Sequence, residues 1–325
     1  MERLAVIGID LGGTNVKLAE VDRGGRIRAR RAFRFDVTRS PSEVIAELAA
    51  HARALLSDGE RSVSDLCAVG IGLPGPLNLR EGTIVRAANL PGWEGVEVRE
   101  LLRADLGCPL VLDNDGNAAA FGEYWAGGAY AARDLVMLTL GTGVGAGVVL
   151  DGNVLHGHFD NAAELGHAIV VPNGIQCPCG QRGCLEQYAS AASVARRVVK
   201  AVEAGESCAL AQVIANGESV GADDVVRHAR QGDRLCLRIW DEACLYLAIA
   251  CINIQHAYNP ARILLGGGMS KAGEFLVDKV RSFIDQHRWS LHDDLPEVGL
   301  AKLGYDAGVI GAAGLAWQAV AQDIE

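Results

Sequence analysis

Three cysteines, Cys177, Cys179 and Cys184, fall within eight residues, and His167 stands ten positions ahead of the first. Three thiolates and an imidazole make a Cys3His set, the donor combination of closed, tetrahedral zinc sites. Pro178, Gly180 and Gly183 supply the turns that bring the sulfurs together. The competing reading is a group of buried free thiols beside an incidental histidine. A closed site leaves zinc no open position for a substrate. Its job would be structural, fixing the loop that carries Glu164, His167 and Glu186.

Three glycine-rich turns each follow an apolar, strand-like run: Asp10-Leu11-Gly12-Gly13-Thr14-Asn15, Gly141-Thr142-Gly143-Val144-Gly145 and Gly266-Gly267-Gly268. Without a Cβ in the way, backbone N–H groups can approach a polyphosphate, and such nests favour anions. Thr14 and Thr142 add hydroxyls at matching places, and Asp10 could hold a magnesium ion through water. Any one of these could be a tight turn and nothing more; two matching turns and a third weigh against that. No GxxxxGK[ST] loop is present and no GxGxxG opens a helix in the right unit, so P-loop and Rossmann readings fail. The pair Asn114-Asp115 ends another strand and precedes a helix. A carboxylate there could take the proton of an attacking hydroxyl, or it could cap the helix.

These groups need elements to carry them. Residues 4–10 are apolar and β-branched, residues 16–22 and 26–35 alternate, and glycines at 12–13 and 24–25 mark turns, which reads as a β-meander. Ser40-Pro41-Ser42-Glu43 opens a helix with an N-cap, a proline at N1 and a capping box. Val44, Ile45, Leu48, Ala52, Leu55 and Leu56 give that helix one apolar face. Further strands are expected over 66–73, 110–112, 135–140, 146–150, 262–265 and 298–303. Helices are expected over 98–106, 117–125, 191–204, 209–215, 222–231, 235–257, 273–287 and 308–321. Moved by 129 positions, Leu11-Gly12 falls on Leu140-Gly141 and Val21-Asp22 on Leu150-Asp151, which reads as a duplicated hairpin unit. Strands alternate with helices in both halves, so the class is α/β.

The 325 residues fit about two domains of roughly 150 residues each. Half the chain is apolar and 22% is charged, which excludes wholesale disorder. Forty glycines exceed the roughly 23 that average usage predicts, and with nine prolines and no Gly-X-Y period the excess belongs to turns. Forty acidic against 30 basic residues give a net charge of −10, which disfavours nucleic acid and anionic membranes as partners. No apolar run has the length of a membrane span, and Met1-Glu2-Arg3-Leu4 passes directly into a strand pattern without a signal peptide. A cytoplasmic location is expected. The other cysteines, Cys67, Cys108, Cys208, Cys236, Cys244 and Cys251, sit in apolar stretches and read as small core hydrophobes.

The first two glycine turns with their strands resemble the two phosphate loops of the hexokinase and actin superfamily. Within it, Glu164-Leu165-Gly166-His167 followed by Cys177-Pro178-Cys179-Gly180-Gln181-Arg182-Gly183-Cys184-Leu185-Glu186 is similar to the ROK family of bacterial sugar kinases and repressors. The resemblance runs from Ile7 to about Gly314; Pro178 departs from it, standing where a small residue is expected. It implies two actin-like ATPase (ribonuclease H-like) domains with a cleft between them. Residues 1–118 would carry the first phosphate loop and the catalytic aspartate. Residues 119–305 would carry the second loop, the sugar loop, the zinc site and the adenosine loop, leaving the C-terminal helix of about 306–325 as a candidate to pack back on the first domain.

The activity that the resemblance implies is magnesium-dependent transfer of phosphate from ATP to a hexose 6-hydroxyl. Asn114-Asp115 followed by Asn117-Ala118-Ala119 matches the family's catalytic motif, which makes Asp115 the general base. Sugar hydroxyls would be held by Asn89, Asn114, Asp115, Glu164, His167 and Glu186, with backbone from Gly72; His167 would serve zinc through one ring nitrogen and sugar through the other. ATP would lie on Asp10, Gly12, Gly13, Thr14, Asn15, Gly141, Thr142, Gly143, Gly266, Gly267 and Gly268. The run Glu186-Gln187-Tyr188-Ala189-Ser190 looks most like the glucokinase branch, which points to glucose. Kinases for N-acetylglucosamine, N-acetylmannosamine, fructose or mannose are the alternatives. The cysteine cluster argues for ATP over polyphosphate as donor, and the family resemblance implies a homodimer. A sugar-responsive repressor is the non-catalytic rival. It would carry a helix-turn-helix segment ahead of the first loop, where nine residues precede Asp10.

Overall fold

Apolar, largely buried runs flanked by one alternating strand build the first sheet of this computed structural model, which describes residues 4–13, 15–87, 90–129, 132–289 and 294–322. Its strands are β1 (Ala5–Leu11), β2 (Asn15–Val21), β3 (Ile27–Arg34), β4 (Leu66–Leu73) and β7 (Leu110–Asn114), with a short pair, β5 (Leu77–Asn78) and β6 (Thr83–Ile84), after β4. The helices among them are α1 (Pro41–Asp58), α2 (Val98–Leu106) and α3 (Asp115–Trp125). The spatial order is β3-β2-β1-β4-β7, antiparallel through the β1–β2–β3 meander and parallel from β1 to β4 to β7.

Successive side chains of β1 point to opposite faces. Ile7, Ile9 and Leu11 join Val44, Leu48 and Leu55 of α1 and Val98 and Leu102 of α2. Val6, with Ala19, Val21 and Ala68, meets Val309, Ile310, Ala313 and Trp317 of the C-terminal helix α10 (Ala307–Gln322). The start of α1 is as its sequence predicts. Ser40 caps it, Glu43 donates its N–H to the Ser40 hydroxyl, and the Glu43 carboxylate takes the Ser40 N–H at 3.0 Å.

Glycines let α10 lie backbone to backbone on its neighbours. A Cβ on Gly8 would fall 2.0 Å from the Val309 carbonyl, one on Gly70 1.8 Å from that of Ala312, and one on Gly311 1.6 Å from that of Ala118 in α3. Fully buried Glu123, also in α3, accepts the N–H groups of Lys302 at 2.9 Å and Leu303 at 2.6 Å. Burial pushes its carboxyl above the usual range. These contacts tie α3 and the C-terminal segment to the first sheet.

The second sheet holds β8 (Leu135–Leu140), β9 (Val144–Leu150), β10 (Asn153–Val154), β11 (Arg262–Gly266) and β12 (Glu297–Leu300), in the order β10-β9-β8-β11-β12. The place of each strand repeats that of β3-β2-β1-β4-β7, so the duplicated hairpin seen in the sequence sits at equivalent positions in the two sheets. Helices α4 (Glu186–Ala189), α5 (Ala191–Glu203), α6 (Ala211–Ala215), α7 (Ala222–Arg230), α8 (Arg234–Tyr258) and α9 (Glu274–His287) complete this part, with α8 packed on α4, α5, α7 and α9. Compact units comprise residues 1–133 with 147–163 and 302–325, and residues 134–146 with 164–301.

Several boundaries differ from expectation for local reasons. Helix α3 starts at Asp115 rather than at 117 because Asn114 caps it. Strand β12 stops at Leu300, short of 303, where the chain turns to give the 302 and 303 N–H groups to Glu123. Of the six scattered cysteines, Cys108, Cys236, Cys244 and Cys251 are buried, but Cys67 and Cys208 are only half-buried. Among the described residues no helix is long and apolar enough to cross a membrane.

Candidate functional site

In the first unit, parallel register aligns Asp10 of β1 with Gly72 of β4 and Gly72 with Asp113 of β7. Three strand ends therefore terminate at one level, the carboxyl edge where α/β sheets present ligand-binding groups. The turn after β1 is closed by Gly12 N–H donating to the Asn15 carbonyl at 2.9 Å, and Gly13 lies within it. Thr14 lies outside the described residues. Lys17, opposite Asp10 in the hairpin, donates to Asp10 Oδ2 at 2.7 Å and to the Tyr305 carbonyl at 2.7 Å. Its ammonium stands 3.6 Å from the centre of the Tyr305 ring. Sequence reasoning left Lys17 out, although the hairpin register places it across from Asp10. The Asp10 carboxylate is a hard oxygen donor with one oxygen engaged by Lys17, which fits water-mediated contact with magnesium.

Asn114 and Asp115 divide the labour at the start of α3. Asn114 is the cap: its Oδ1 accepts Gly116 N–H at 2.8 Å, and its Nδ2 donates to the Gly75 carbonyl at 3.3 Å. Asp115 is the first helical residue and is exposed, with its Oδ1 also accepting Gly116 N–H at 2.8 Å. Its negative charge sits at the end of the helix that favours anions. A Cβ on Gly72 would lie 3.5 Å from Asp115 Cα and 3.3 Å from Ala118 Cβ, so strand end and helix start meet closely. Buried Asp113 holds the pair from behind, its Oδ1 taking Asn114 N–H and Asn117 Nδ2, both at 2.8 Å. Its Oδ2 lies 2.8 Å from His156 Nε2, and that hydrogen bond, against the opposing effect of burial, raises the His156 pKa. His156 is a site neighbour that sequence reasoning missed. Asn89 lies outside the described residues, and Trp93 is fully buried in the core.

In the second unit, the turn after β8 is closed by Gly141 N–H donating to the Gly143 carbonyl at 3.0 Å, and Thr142 is exposed at its tip. The turn after β11 touches it. Gly267 has φ +80°, and a Cβ there would fall 2.6 Å from the Leu140 carbonyl oxygen, so this close approach admits only glycine without strain. Gly266 and Gly268 flank it. Glu186, at the start of α4, accepts Val144 N–H at 3.1 Å, and a Cβ on Gly143 would lie 2.3 Å from its Oε2. The sequence pointed to Glu186 for sugar; the structure seats it under the second glycine turn. Glu164 is exposed at the head of a single 3-10 turn that ends at His167, and His167 N–H donates to its carbonyl at 3.0 Å.

His167, Cys177, Cys179 and Cys184 converge, with one donor atom from each within 4.8 Å of the others. His167 Nδ1 lies 3.7 Å from Cys177 Sγ, and the sulfurs of Cys179 and Cys184 are 3.6 Å apart. Zinc bonds of about 2.3 Å to sulfur put tetrahedral ligands about 3.8 Å apart, so the set fits that ion. Burial pushes the Cys177 thiol up and that of Cys184 to about 12. At Cys179 burial acts in the same sense but is outweighed by the Gln181 N–H and the neighbouring thiols, which bring it down. Metal uptake would therefore displace protons. Gln187 ties the cluster to the turn, its Nε2 donating to Cys177 Sγ at 3.5 Å and to Glu186 Oε1 at 3.4 Å.

Comparison with known proteins follows the same lines. The ROK family pattern matches residues 6–319. A glucokinase of Halalkalibacterium halodurans is 36% identical over 313 residues, 96% of this chain and 94% of its own. The solved ROK hexokinase of Thermus thermophilus superposes with a TM-score of 0.81 at 31% identity, covering 98% of this chain and 100% of that one. A ROK glucokinase of Streptomyces griseus, solved with glucose and AMPPNP, has a TM-score of 0.77 at 32% identity, covering 97% of this chain and 99% of that one.

Proposed function

Because the chain belongs to the ROK family, we propose that it is a sugar kinase that transfers the γ-phosphoryl group of ATP to the 6-hydroxyl of glucose. The observation that carries this reading is the start of α3. Asn114 does the capping, so Asp115 presents an exposed carboxylate at the carboxyl edge of a parallel sheet, beside Gly72. Similarity to glucokinases, one solved with glucose and an ATP analogue, supports the substrate pair.

In this reading Asp115 accepts the proton of the 6-hydroxyl as that oxygen attacks phosphorus, a contribution of roughly 10²- to 10⁴-fold. Asn114, Glu164, His167 and Glu186, with Asn89 and the Gly72 backbone, hold the sugar hydroxyls. N–H groups of the turns at 12–15, 141–143 and 266–268 receive the nucleotide phosphates, with the hydroxyls of Thr14 and Thr142. Magnesium, when bound, neutralises charge on the β- and γ-phosphoryl oxygens, and Asp10 would hold it through water. Zinc on His167, Cys177, Cys179 and Cys184 would be structural. The ion would hold His167 in place, and Glu186 stands two residues after Cys184, which would bring the sugar loop and the second glycine turn under one clamp.

The test is a comparison of kcat/KM for ATP-dependent phosphorylation of glucose, mannose, fructose, N-acetylglucosamine and N-acetylmannosamine. Glucose should lead. A higher value for another hexose would reassign the substrate, and no ADP release with any of them would remove the kinase reading.

A further inference from the structure

Outside the Cys3His cluster, three more donors converge in the second unit. Cys208 lies before α6, Asp233 caps α8, and Cys236 is in the first turn of α8; their ligand atoms lie within 4.8 Å of one another. The two sulfurs are 3.6 Å apart, and Cys208 Sγ is 3.6 Å from Asp233 Oδ1. The Cys3His cluster shows the same spacing, 3.6 Å between two sulfurs and 3.7 Å from sulfur to nitrogen. A tetrahedral zinc ion with bonds of about 2.3 Å to sulfur and about 2.1 Å to oxygen sets sulfur–sulfur near 3.8 Å and sulfur–oxygen near 3.6 Å.

Asp233 already has a structural task. Its Oδ1 accepts Cys236 N–H at 2.9 Å and its Oδ2 accepts Ala209 N–H at 2.7 Å. Each carboxylate oxygen has a second lone pair, so these bonds orient the group without exhausting it. Capping accounts for Asp233 but not for two thiols gathered beside it. A disulfide would account for the thiols but needs no carboxylate in contact with a sulfur. Zinc uses all three. Half-buried Cys208 leaves a way in.

We propose that Cys208, Asp233 and Cys236 form a second zinc site, completed by water, that clips the segment before α6 to the start of α8. Binding converts two thiols to thiolates and releases two protons for each Zn2+ taken up, with no change of oxidation state.

The test counts metal in the full-length protein and does not depend on the kinase reading. Thiol-reduced, metal-free protein is titrated with Zn2+ and, for its thiolate charge-transfer absorption, with Cd2+. Two ions per chain are expected, and Cys208→Ala should bind one. Cys179→Ser should also bind one, through loss of the other site. Asp233→Asn keeps a good helix cap, so its fold is preserved while affinity at the second site falls by about tenfold or more. One ion per chain, unchanged by Cys208→Ala, would overturn the proposal, as would a Cys208–Cys236 disulfide in protein purified without added oxidant.

Discussion

Replacing Asp115 by asparagine separates catalysis from folding at the start of α3. Loss of a general base costs roughly 10²- to 10⁴-fold in kcat, which at about 1.36 kcal/mol per tenfold is about 2.7–5.4 kcal/mol of transition-state stabilisation. The structural cost is much smaller. Asn114 keeps the cap through its 2.8 Å bond from Gly116 N–H, and the helix gives up the favourable charge of Asp115 at its first position. That charge is worth about 0.3–1 kcal/mol, and 1 kcal/mol moves Tm by about 2–4 °C in a unit of this size. Steady-state ADP release with saturating glucose and ATP should show kcat down by at least about 100-fold. Glucose KM should change little, and a thermal scan should show Tm within about 4 °C of the parent. Turnover within a few-fold of the parent would reduce Asp115 to a helix residue. Lost turnover with a much larger fall in Tm would mean that the substitution acts through the fold.

Three other outcomes follow from the same geometry. Stripping zinc with a strong chelator, or Cys179→Ser, should raise KM for both glucose and ATP, because Glu186 connects the cluster to Val144 N–H; a change confined to one substrate would break that link. His156 has its pKa raised above about 6.5 by Asp113, so the stability it contributes is full below that pH and is lost as pH rises through its folded value. Urea midpoints should show this loss in the parent and a flatter profile in His156→Gln. Gly267→Ala puts a side chain at φ +80° against the Leu140 backbone and should cost roughly 2–4 kcal/mol in urea unfolding while raising ATP KM; an unchanged midpoint would contradict the packing described.

What could be read in advance was what neighbours in sequence decide. The cap at Ser40–Glu43, the alternation of β3 and the cysteine spacing are local, and the structure carries each of them. The hairpin shared by the two sheets was visible as a repeated strand–glycine–strand pattern, whereas the common five-strand order was not. Lys17 was within reach too, since a hairpin closing between Leu11 and Asn15 sets it opposite Asp10. The pairing of Asp113 with His156 and of Glu123 with Lys302 and Leu303 joins residues far apart in the chain. No periodicity announces such pairs, because topology alone brings them together. The glycines at 8, 70 and 311 are similar: the strand and helix patterns around them give no reason for a missing side chain, and only the packed α10 shows it. Glu186 shows the other limit. Its place in the motif was legible, but its bond to the glycine turn depends on how the loop after β8 folds back.

The most direct test of the account incubates the protein with ATP, magnesium and glucose and identifies the products by phosphorus NMR. We expect glucose 6-phosphate and ADP in equal amounts, with ADP formed only slowly when glucose is left out. Phosphate released at the same rate with or without sugar, and no sugar phosphate, would contradict it.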